Sequence, residues 1–435
     1  MIEQFRNIFR VPELRRRVLF TCGLLIVYRI GAHVPTPGID ANALSRFFEQ
    51  QAGNLLGFFD LFSGGALRRL SVFALGIMPY ISASIILQLL AVVIPTLEKL
   101  QKEGEQGRKK ITQYTRYGTV GLAAVQALGI AVGLESMQIG GAMVVPSPGW
   151  IFRLMTTLTL TGGTIFLMWL GEQISERGIG NGISLLIFAG IIVRMPEAIV
   201  ASWTLITQGE MNPLIFLALL ALMVFVVAAV IVMTLGQRRI PVQYAKRVVG
   251  RRVYGGQSTH IPLRVNTAGV IPVIFASSII VFPTTIAQFV KHPWAQAVQS
   301  WLAFGGLPYT ILYGAGIIFF TYFYTAIIFN PIDVADNMKK YGGYIPGIRP
   351  GSKTAEFIER VLDRITLVGA LYLAAISILP EIMITQMNVP FYFGGTSLLI
   401  VVGVALDTVQ QVESHLLMRH YEGFLKKARV RGRIS

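Results

Sequence analysis

Long apolar runs recur along the chain, separated by shorter polar stretches. They lie at roughly Val18 to Val34, Ser71 to Ile94, Gly118 to Val132, Leu154 to Leu170, Ile179 to Val193, Pro213 to Leu235, Ala268 to Val290, Pro308 to Phe329, Ile365 to Ile384 and Phe391 to Leu406. Each run is continuous rather than alternating, so the pattern predicts helices and not the strands of a barrel. In hydrocarbon every backbone amide needs an internal partner, which a helix provides within itself. An even number of spans puts both termini on one side. Basic residues precede the first run as they would in a signal peptide. No small-residue cleavage site follows Val34, however, and nine more runs come after it, so it reads as a retained first span.

Composition agrees with this pattern and adds an orientation. With 53% hydrophobic and 14% charged residues over 435 positions, there is more apolar surface than a water-soluble core can hide. The formal charge of +16 is unevenly placed. All but a handful of the 38 lysines and arginines fall in segments that share a side with the termini, chiefly 1–17, 99–116, 238–264, 339–364 and 419–433. The positive-inside rule makes that side cytoplasmic and supports ten spans over nine or eleven. The single cysteine, Cys22, has no partner within the chain.

The second and seventh runs carry a weak internal repeat. Gly76-Ile77-Met78-Pro79-Tyr80-Ile81-Ser82-Ala83-Ser84-Ile85-Ile86 can be laid over Gly269-Val270-Ile271-Pro272-Val273-Ile274-Phe275-Ala276-Ser277-Ser278-Ile279, matching at Gly, Pro, Ile, Ala, Ser and the last Ile. Each is the second run in a set of five. Because five is odd, the two halves would be inverted, and Gly/Pro-interrupted spans at matching positions point toward the functional centre.

Chemistry has few visible carriers. An enzyme or ion-coupled pump should leave ionisable residues in its spans. Here Arg29 is the main one, either a structural anchor or part of a passage, while Arg153 and Glu172 sit at span edges where snorkelling accounts for them. The five histidines lack metal-ligand spacing, and no Walker, nucleophile-elbow or zinc-protease motif is present. No cofactor or metal is expected, and energy for any transport must come from another component. A passage without charges can still gate, because a narrow apolar constriction excludes water by dewetting. Candidates are isoleucines beside helix breakers: Ile77 and Ile81 next to Pro79, Ile183 and Ile187 after Gly178, Gly180 and Gly182, Ile274 after Pro272, and Ile400 in the tenth run. Most isoleucines in a span face lipid or fill packing gaps; only the breakers and the repeat single these out.

Three other segments are unusual. Residues 54–70, with Gly64-Gly65 at their middle, are too polar and glycine-rich to span. They read as a short amphipathic half-helix, either lying on the membrane surface or re-entering a protein cavity, and both readings stay open on sequence grounds. The segment from Gly236 to Arg264 holds Arg238, Arg239, Lys246, Arg247, Arg251, Arg252 and Arg264 with no acid. Topogenic charge accounts for part of this, and binding to ribosomal RNA or an acidic partner for the rest. Finally, Tyr344-Ile345-Pro346-Gly347-Ile348-Arg349-Pro350-Gly351 would hold Arg349 on a stiff turn suited to docking.

At these residues a family resemblance emerges. Phe73 to Ser84, Gly171-Glu172-Gln173-Ile174-Ser175-Glu176-Arg177-Gly178-Ile179-Gly180-Asn181-Gly182, Gly347-Ile348-Arg349-Pro350-Gly351 and Pro390-Phe391-Tyr392-Phe393-Gly394-Gly395-Thr396-Ser397 are similar to signatures of the SecY family of Sec translocation channels, and the similarity runs from about Pro12 to Lys427. The resemblance implies an all-α membrane protein of ten transmembrane helices, in two inverted five-helix halves around an hourglass pore. The first half would take residues 1–200 and the second 201–435, with loops near 236–266 and 330–364 on the cytoplasmic side.

By the same resemblance, Ile77, Ile81, Ile183, Ile187, Ile274 and Ile400 fall on the pore ring. Residues of about 57–70, including Phe58, Phe59, Leu61, Phe62, Gly64, Gly65 and Leu67, fall on the plug, and Ser82, Gln88 and Asn266 on a lateral gate between spans two and three and spans seven and eight. Polar groups there would bond across the closed seam. The basic loops, at Arg238, Arg239, Lys246, Arg247, Arg251, Arg252 and Arg349, would dock the SecA ATPase or the ribosome. SecE and SecG are the implied small subunits, signal peptides and nascent membrane proteins the cargo, and the bacterial plasma membrane the location. The competing reading is a secondary transporter for a small solute, which would need a polar site at the midplane. An intramembrane enzyme lacks a catalytic dyad.

Overall fold

The computed structural model describes residues 11–39, 60, 63–135, 138–139, 142–209, 212–244, 247–249, 252–254, 258–289, 293–302, 306–387 and 395–431. Each expected span contains a helix. The first half holds α1 (Pro12–Gly31), α2 (Met78–Val93), the short α3 (Pro95–Lys102), α4 (Glu105–Glu135), α5 (Trp150–Arg177), α6 (Gly182–Val193) and α7 (Met195–Thr207). The second holds α8 (Pro213–Leu235), α9 (Ile271–Phe289), α10 (Pro293–Trp301), α11 (Leu307–Ile328), α12 (Pro331–Lys340), α13 (Ser352–Met387) and α14 (Gly395–Arg431). Residue 200, the expected boundary, falls inside α7.

Several spans differ from their apolar runs. The second run begins at Ser71, yet helix starts only at Met78, because residues 63–77 form successive turns. Gly76 at φ 58° and Gly269 at φ 64° both adopt a backbone that disfavours L side chains, and Pro79 and Pro272 then occupy the second helical position of α2 and α9. The prolines start these helices where their missing N–H is harmless; they do not break them midway. The two halves therefore repeat the same entry geometry at the matching positions of the internal repeat. Similarly, α6 has only 12 residues, too few to cross about 30 Å of hydrocarbon at 1.5 Å each, and α7 continues after the single residue Arg194. At the other end of α2 the path turns through 106° into α3.

Small residues set the closest packing. On α4, Thr115, Thr119, Ala123, Ala127 and Ala131 recur every fourth position and are all buried, giving a smooth ridge against which α2 and α5 pack. Two ion pairs brace α4 to α5: Arg116 donates to both carboxylate oxygens of Glu172, at 2.8 and 2.7 Å, and Arg153 donates twice to Glu135 Oε2, at 2.8 and 2.6 Å. Snorkelling, expected for Arg153 and Glu172, is thus replaced by direct pairing across a helical hairpin, with one pair at each end. At the turn between α5 and α6, Gly182 lies directly against the Gly171 carbonyl, leaving no room for a side chain.

The halves meet along two lines. On one, α9 packs against α2 and α4; on the other, α14 packs against α6. Near the termini the second contact is polar. Gly180 N–H donates across it to Gln411 Oε1 (2.9 Å), while the neighbouring Ile179 N–H donates within the first half to Thr21 Oγ1 (3.1 Å).

The acid-free basic segment is a β-hairpin projecting on the termini side. After the two-residue strands β1 (Gln138–Ile139) and β2 (Ala142–Met143), the chain forms β3 (Gln237–Tyr244), β4 (Arg247–Val249), β5 (Arg252–Tyr254), β6 (Ser258–Arg264) and β7 (Gly343–Tyr344). β3 pairs antiparallel with β6, with Arg238 opposite Leu263, and β7 adds to the other edge of β3 through Gln243 and Tyr344. Ile240, Val242, Leu263, Met338, Ile345, Ile358 and Leu362 form a separate small core under this sheet.

Gly182→Leu is expected to destabilise the chain by about 1–3 kcal/mol through forced separation of α5 and α6. Gly162→Leu, where an added Cβ meets nothing within 4 Å, leaves the detergent melting temperature unchanged. Equal shifts in the two variants would rule out a tight α5–α6 crossing.

Candidate functional site

The six candidate isoleucines come from α2 and the residue before it (Ile77, Ile81), α6 (Ile183, Ile187), α9 (Ile274) and α14 (Ile400). Ile77, Ile81, Ile187, Ile274 and Ile400 are buried in one connected apolar cluster, and half-buried Ile183 packs against it. Ile81 is 8% exposed, whereas Ile86, elsewhere on the same helix, is 46% exposed to the surrounding medium. Ile81 N–H donates to the Ile77 carbonyl at 3.1 Å, so the two stay one helical turn apart although the helix begins after Ile77. Four helices from both halves thus place these isoleucines, whose side chains are stiff at χ1, in the same large apolar core.

Next to it lies the turn segment at residues 60 and 63–70. Phe58, Phe59, Leu61 and Phe62 fall outside the described residues. Of the expected half-helix, residue 60 is helical and residues 63–70 form consecutive turns, with Gly64 at φ 65° and Gly65 at φ 84°. Asp60, Ser63, Gly64, Ala66 and Leu70 are buried within protein, as an element tucked into a protein cavity would be.

Its backbone is tied on three sides. Tyr28 OH donates to the Ser63 carbonyl (3.3 Å) and Arg29 Nη1 to the Gly64 carbonyl (2.8 Å), which makes Arg29 an anchor. Gly64 sits against Gly190 of α6, where a Cβ would come within 2.9 Å of the Gly190 Cα. The trailing end is held by Thr36 N–H to Leu70 O and Val72 N–H to Val34 O, both 2.9 Å, around Leu70 at the strained φ of 38°.

One charge pair in this segment was not singled out from sequence. Arg194 Nη1 donates to Asp60 Oδ2 at 2.8 Å, and the Arg68 backbone N–H donates to Asp60 Oδ1 at 2.8 Å. Asp60 is 2% exposed. The available signal was a lone acid in an apolar turn and a lone cation just after a span.

The seam residues do not bond across the contact as expected. Gln88 Nε2 donates to Ser84 Oγ within α2 (3.2 Å), and the Asn266 Oδ1 is buried without a partner. Among the described residues Ser82 makes no side-chain bond either. The i,i+4 spacing of Ser84 and Gln88 gives the amide a partner on its own helix face, which removes the need to reach over the seam.

The basic segments converge. Lys246 and Arg251 lie outside the described residues, while the strands carrying Arg247 and Arg252 pair as a small hairpin. Arg238 and Arg239 are exposed on β3, and the β3–β7 pairing joins their hairpin to the turn that presents exposed Arg349. That turn has Gly347 at φ 82° and Gly351 at φ 106°, and Thr354 Oγ1 donates to the Arg349 carbonyl (2.9 Å).

Two helical halves, an apolar closure contributed by both, and a re-entrant turn packed beside it define a helical membrane channel. Among relatives, the chain is 54% identical to the protein translocase subunit SecY of Escherichia coli (strain K12), covering 97% of this chain and 96% of that protein. It is 44% identical to the SecY of Aquifex aeolicus, covering 98% and 100%. The SecY family model matches residues 71–409. Among solved structures, a SecY whose plug domain is described as stabilising the closed state of the translocation channel aligns with TM-score 0.61 and 19% identity over 92% of both chains. Sec61 in the canine ribosome–channel complex of the endoplasmic reticulum aligns with TM-score 0.57 and 17% identity, again over 92% of both. The chain belongs to the SecY family, and its function is that of a protein-translocation channel; a small-solute transporter finds no support.

The buried pair generates a sharp test. Arg194→Ala is expected to loosen residues 60–70 by about 3 kcal/mol at neutral pH, since it leaves a buried carboxylate unpaired. Asp60→Asn in the same chain restores the segment. Hydrogen exchange of these amides measures both; a double variant as loose as Arg194→Ala would refute the pairing.

Proposed function

We propose that signal-sequence-bearing polypeptides thread through a ring formed by Ile77, Ile81, Ile183, Ile187, Ile274 and Ile400. In the resting state the segment at about residues 57–70, with Gly64, Gly65 and Leu67, plugs the passage beside that ring. The observation that carries this reading is the convergence of these isoleucines from four helices in one buried cluster. A constriction without charge excludes water and ions by dewetting while it offers a sliding peptide no sites to bind.

The contact of α9 with α2 and α4 serves as the lateral gate, with Ser82, Gln88 and Asn266 near it. A signal sequence intercalating there would separate the halves, and apolar segments of about twenty residues leave sideways into lipid. The sorting is a partition: a central Leu or Ile gains about 0.3–0.6 kcal/mol in the bilayer, whereas a charge costs about 2.5–3.5. The gate's polar groups, unbonded across the seam, present little to be broken on opening.

The protein would lie in the bacterial plasma membrane with both termini cytoplasmic, SecE and SecG beside it. Energy comes from the SecA ATPase or from ribosomal synthesis, docked on Arg238, Arg239, Lys246, Arg247, Arg251, Arg252 and Arg349. The joining of hairpin and turn by β3 and β7 supports a single cationic platform of exposed arginines, suited to acidic protein or RNA.

Proteoliposomes containing the chain, SecE and SecA are expected to import a signal-bearing preprotein with ATP; import of small solutes alone would overturn the reading. Ile81→Asn combined with Ile274→Asn should raise resting ion conductance in planar bilayers and relax signal-sequence selectivity, and an unchanged leak removes the ring. In the same vesicles Arg349→Glu should reduce SecA-driven import at least severalfold while ribosome-coupled insertion stays near normal. Equal loss in both assays would point to misfolding instead of docking.

A further inference from the structure

Two prolines decide which backbone groups of β3 are left over. In the β3–β6 ladder Arg239 lies opposite Pro262 and Pro241 opposite His260. Proline has no N–H, so these are the non-hydrogen-bonded pairs, and the mutual bonds fall on Arg238–Leu263, Ile240–Ile261 and Val242–Thr259. Residues that do not bond β6 turn their backbone groups to the opposite edge. There Gln237 and Arg239 each present an N–H and a C=O, and Pro241 a C=O. β7 covers this edge only at Gln243 and Tyr244. Beyond Tyr344 it leaves, because Pro346 has no N–H to give and Gly347, at φ 82°, takes the chain into a turn closed by Ile348 N–H to Ile345 O (3.1 Å). Among the described residues, Gln237, Arg239 and Pro241 make no further backbone bond, and their side chains are exposed.

We propose that this edge takes an extended, acidic segment of a protein partner as a further antiparallel strand. An unpaired strand edge is a template for such addition, in which main-chain bonds supply affinity and side chains supply choice. The residue opposite Arg239 would exchange both main-chain bonds with it and place its side chain on the same, exposed face. Arg239 is ready for a carboxylate there: Gln237, its amide turned to accept, holds Nε at 3.2 Å and Nη2 at 3.0 Å, leaving the Nη1 donors uncommitted. Among the described residues no carboxylate pairs with Arg238, Arg239 or Arg349. Neighbours of the acid would face the side of Ile240 and Val242, so a sequence alternating acidic and apolar residues fits. A nucleic acid would meet the same cations but has no amides to pair with the edge, so the backbone geometry selects protein over RNA. The strand site stands on this geometry, whereas its part in SecA or ribosome docking rests on the function proposed above.

The probe is a fluorescein-labelled peptide of alternating glutamate and valine, titrated against the full-length chain with its co-purifying subunits in phosphatidylcholine nanodiscs and followed by anisotropy. Saturable binding is expected. N-methylation of the glutamate amides, which face β3, should weaken it by about tenfold or more, while N-methylation of the valine amides, which face away, should change it less than about twofold. Both peptides carry the same charge and meet the same native chain, so a folding defect cannot mimic the difference. No binding, or equal weakening by the two methylations, would overturn the strand. Variants ask the same question of the chain. Arg239→Gln should cost about threefold through the lost ion pair, and Arg239→Pro about a further threefold or more, since it removes the outward N–H but no bond to β6. Equal affinity in these two variants would also count against the strand.

An oligouridylate competitor separates protein from RNA. It should displace the labelled peptide only weakly; displacement as strong as by unlabelled peptide, together with indifference to N-methylation, would show a surface read by charge alone. Import assays separate this site from the docking reading. If the peptide fails to bind while Arg349→Glu still reduces SecA-driven import, the platform stands and the strand falls. If the peptide binds as expected while Arg239→Pro leaves SecA-driven import and ribosome-coupled insertion unchanged, the strand site stands and its part in docking falls.

Discussion

A polypeptide backbone at membrane depth must find its hydrogen bonds inside the protein, and the organisation around residues 63–77 follows from that requirement. A stretch of turns cannot satisfy itself as a helix does, so its carbonyls and amides are met by Tyr28, Arg29, Val34 and Thr36 of the first span and its exit. Those partners hold the segment against α6 where Gly64 meets Gly190. The same necessity accounts for the two shortest spans. α2 and α6 are each too short to cross the bilayer alone, and the turn segment packs against α6 where Gly64 meets Gly190.

The charges nearby are placed with the same economy. Arg29 spends one bond on a backbone carbonyl and Arg194 one on Asp60. In contrast, the six isoleucines carry no polar group of their own, and their packing depends on shape and stiffness alone. The sheet that carries exposed Arg238 and Arg239 has its own small core, which includes residues of α12 and α13 and is separate from the cluster that holds the isoleucines.

Much of this was legible in the order of residues. Ten helices appear where ten apolar runs lie, and the Gly and Pro of the internal repeat mark the same backbone event in both halves, since φ above zero and an N-terminal proline are local demands. The turn holding Arg349 was likewise readable from Gly347 and Gly351. Helix ends were less so: Ser71 to Ile77 is as apolar as a span, yet Gly64, Gly65 and Gly76 keep it in turns.

What the sequence by itself determined is the set of helices, the side that carries positive charge and the positions where the backbone bends, because each follows from neighbours a few residues away. Only the tertiary structure decided which isoleucines face inward, since lipid is as apolar as a sealed pore and both accept the same side chain. It also decided that Arg153 and Glu172 are paired instead of snorkelling, that Asp60 meets Arg194, and that two basic loops form one platform through β3 and β7. Those are meetings between residues distant in the chain, and an ion pair or a strand pairing has no energy until folding brings both partners into a place that excludes water.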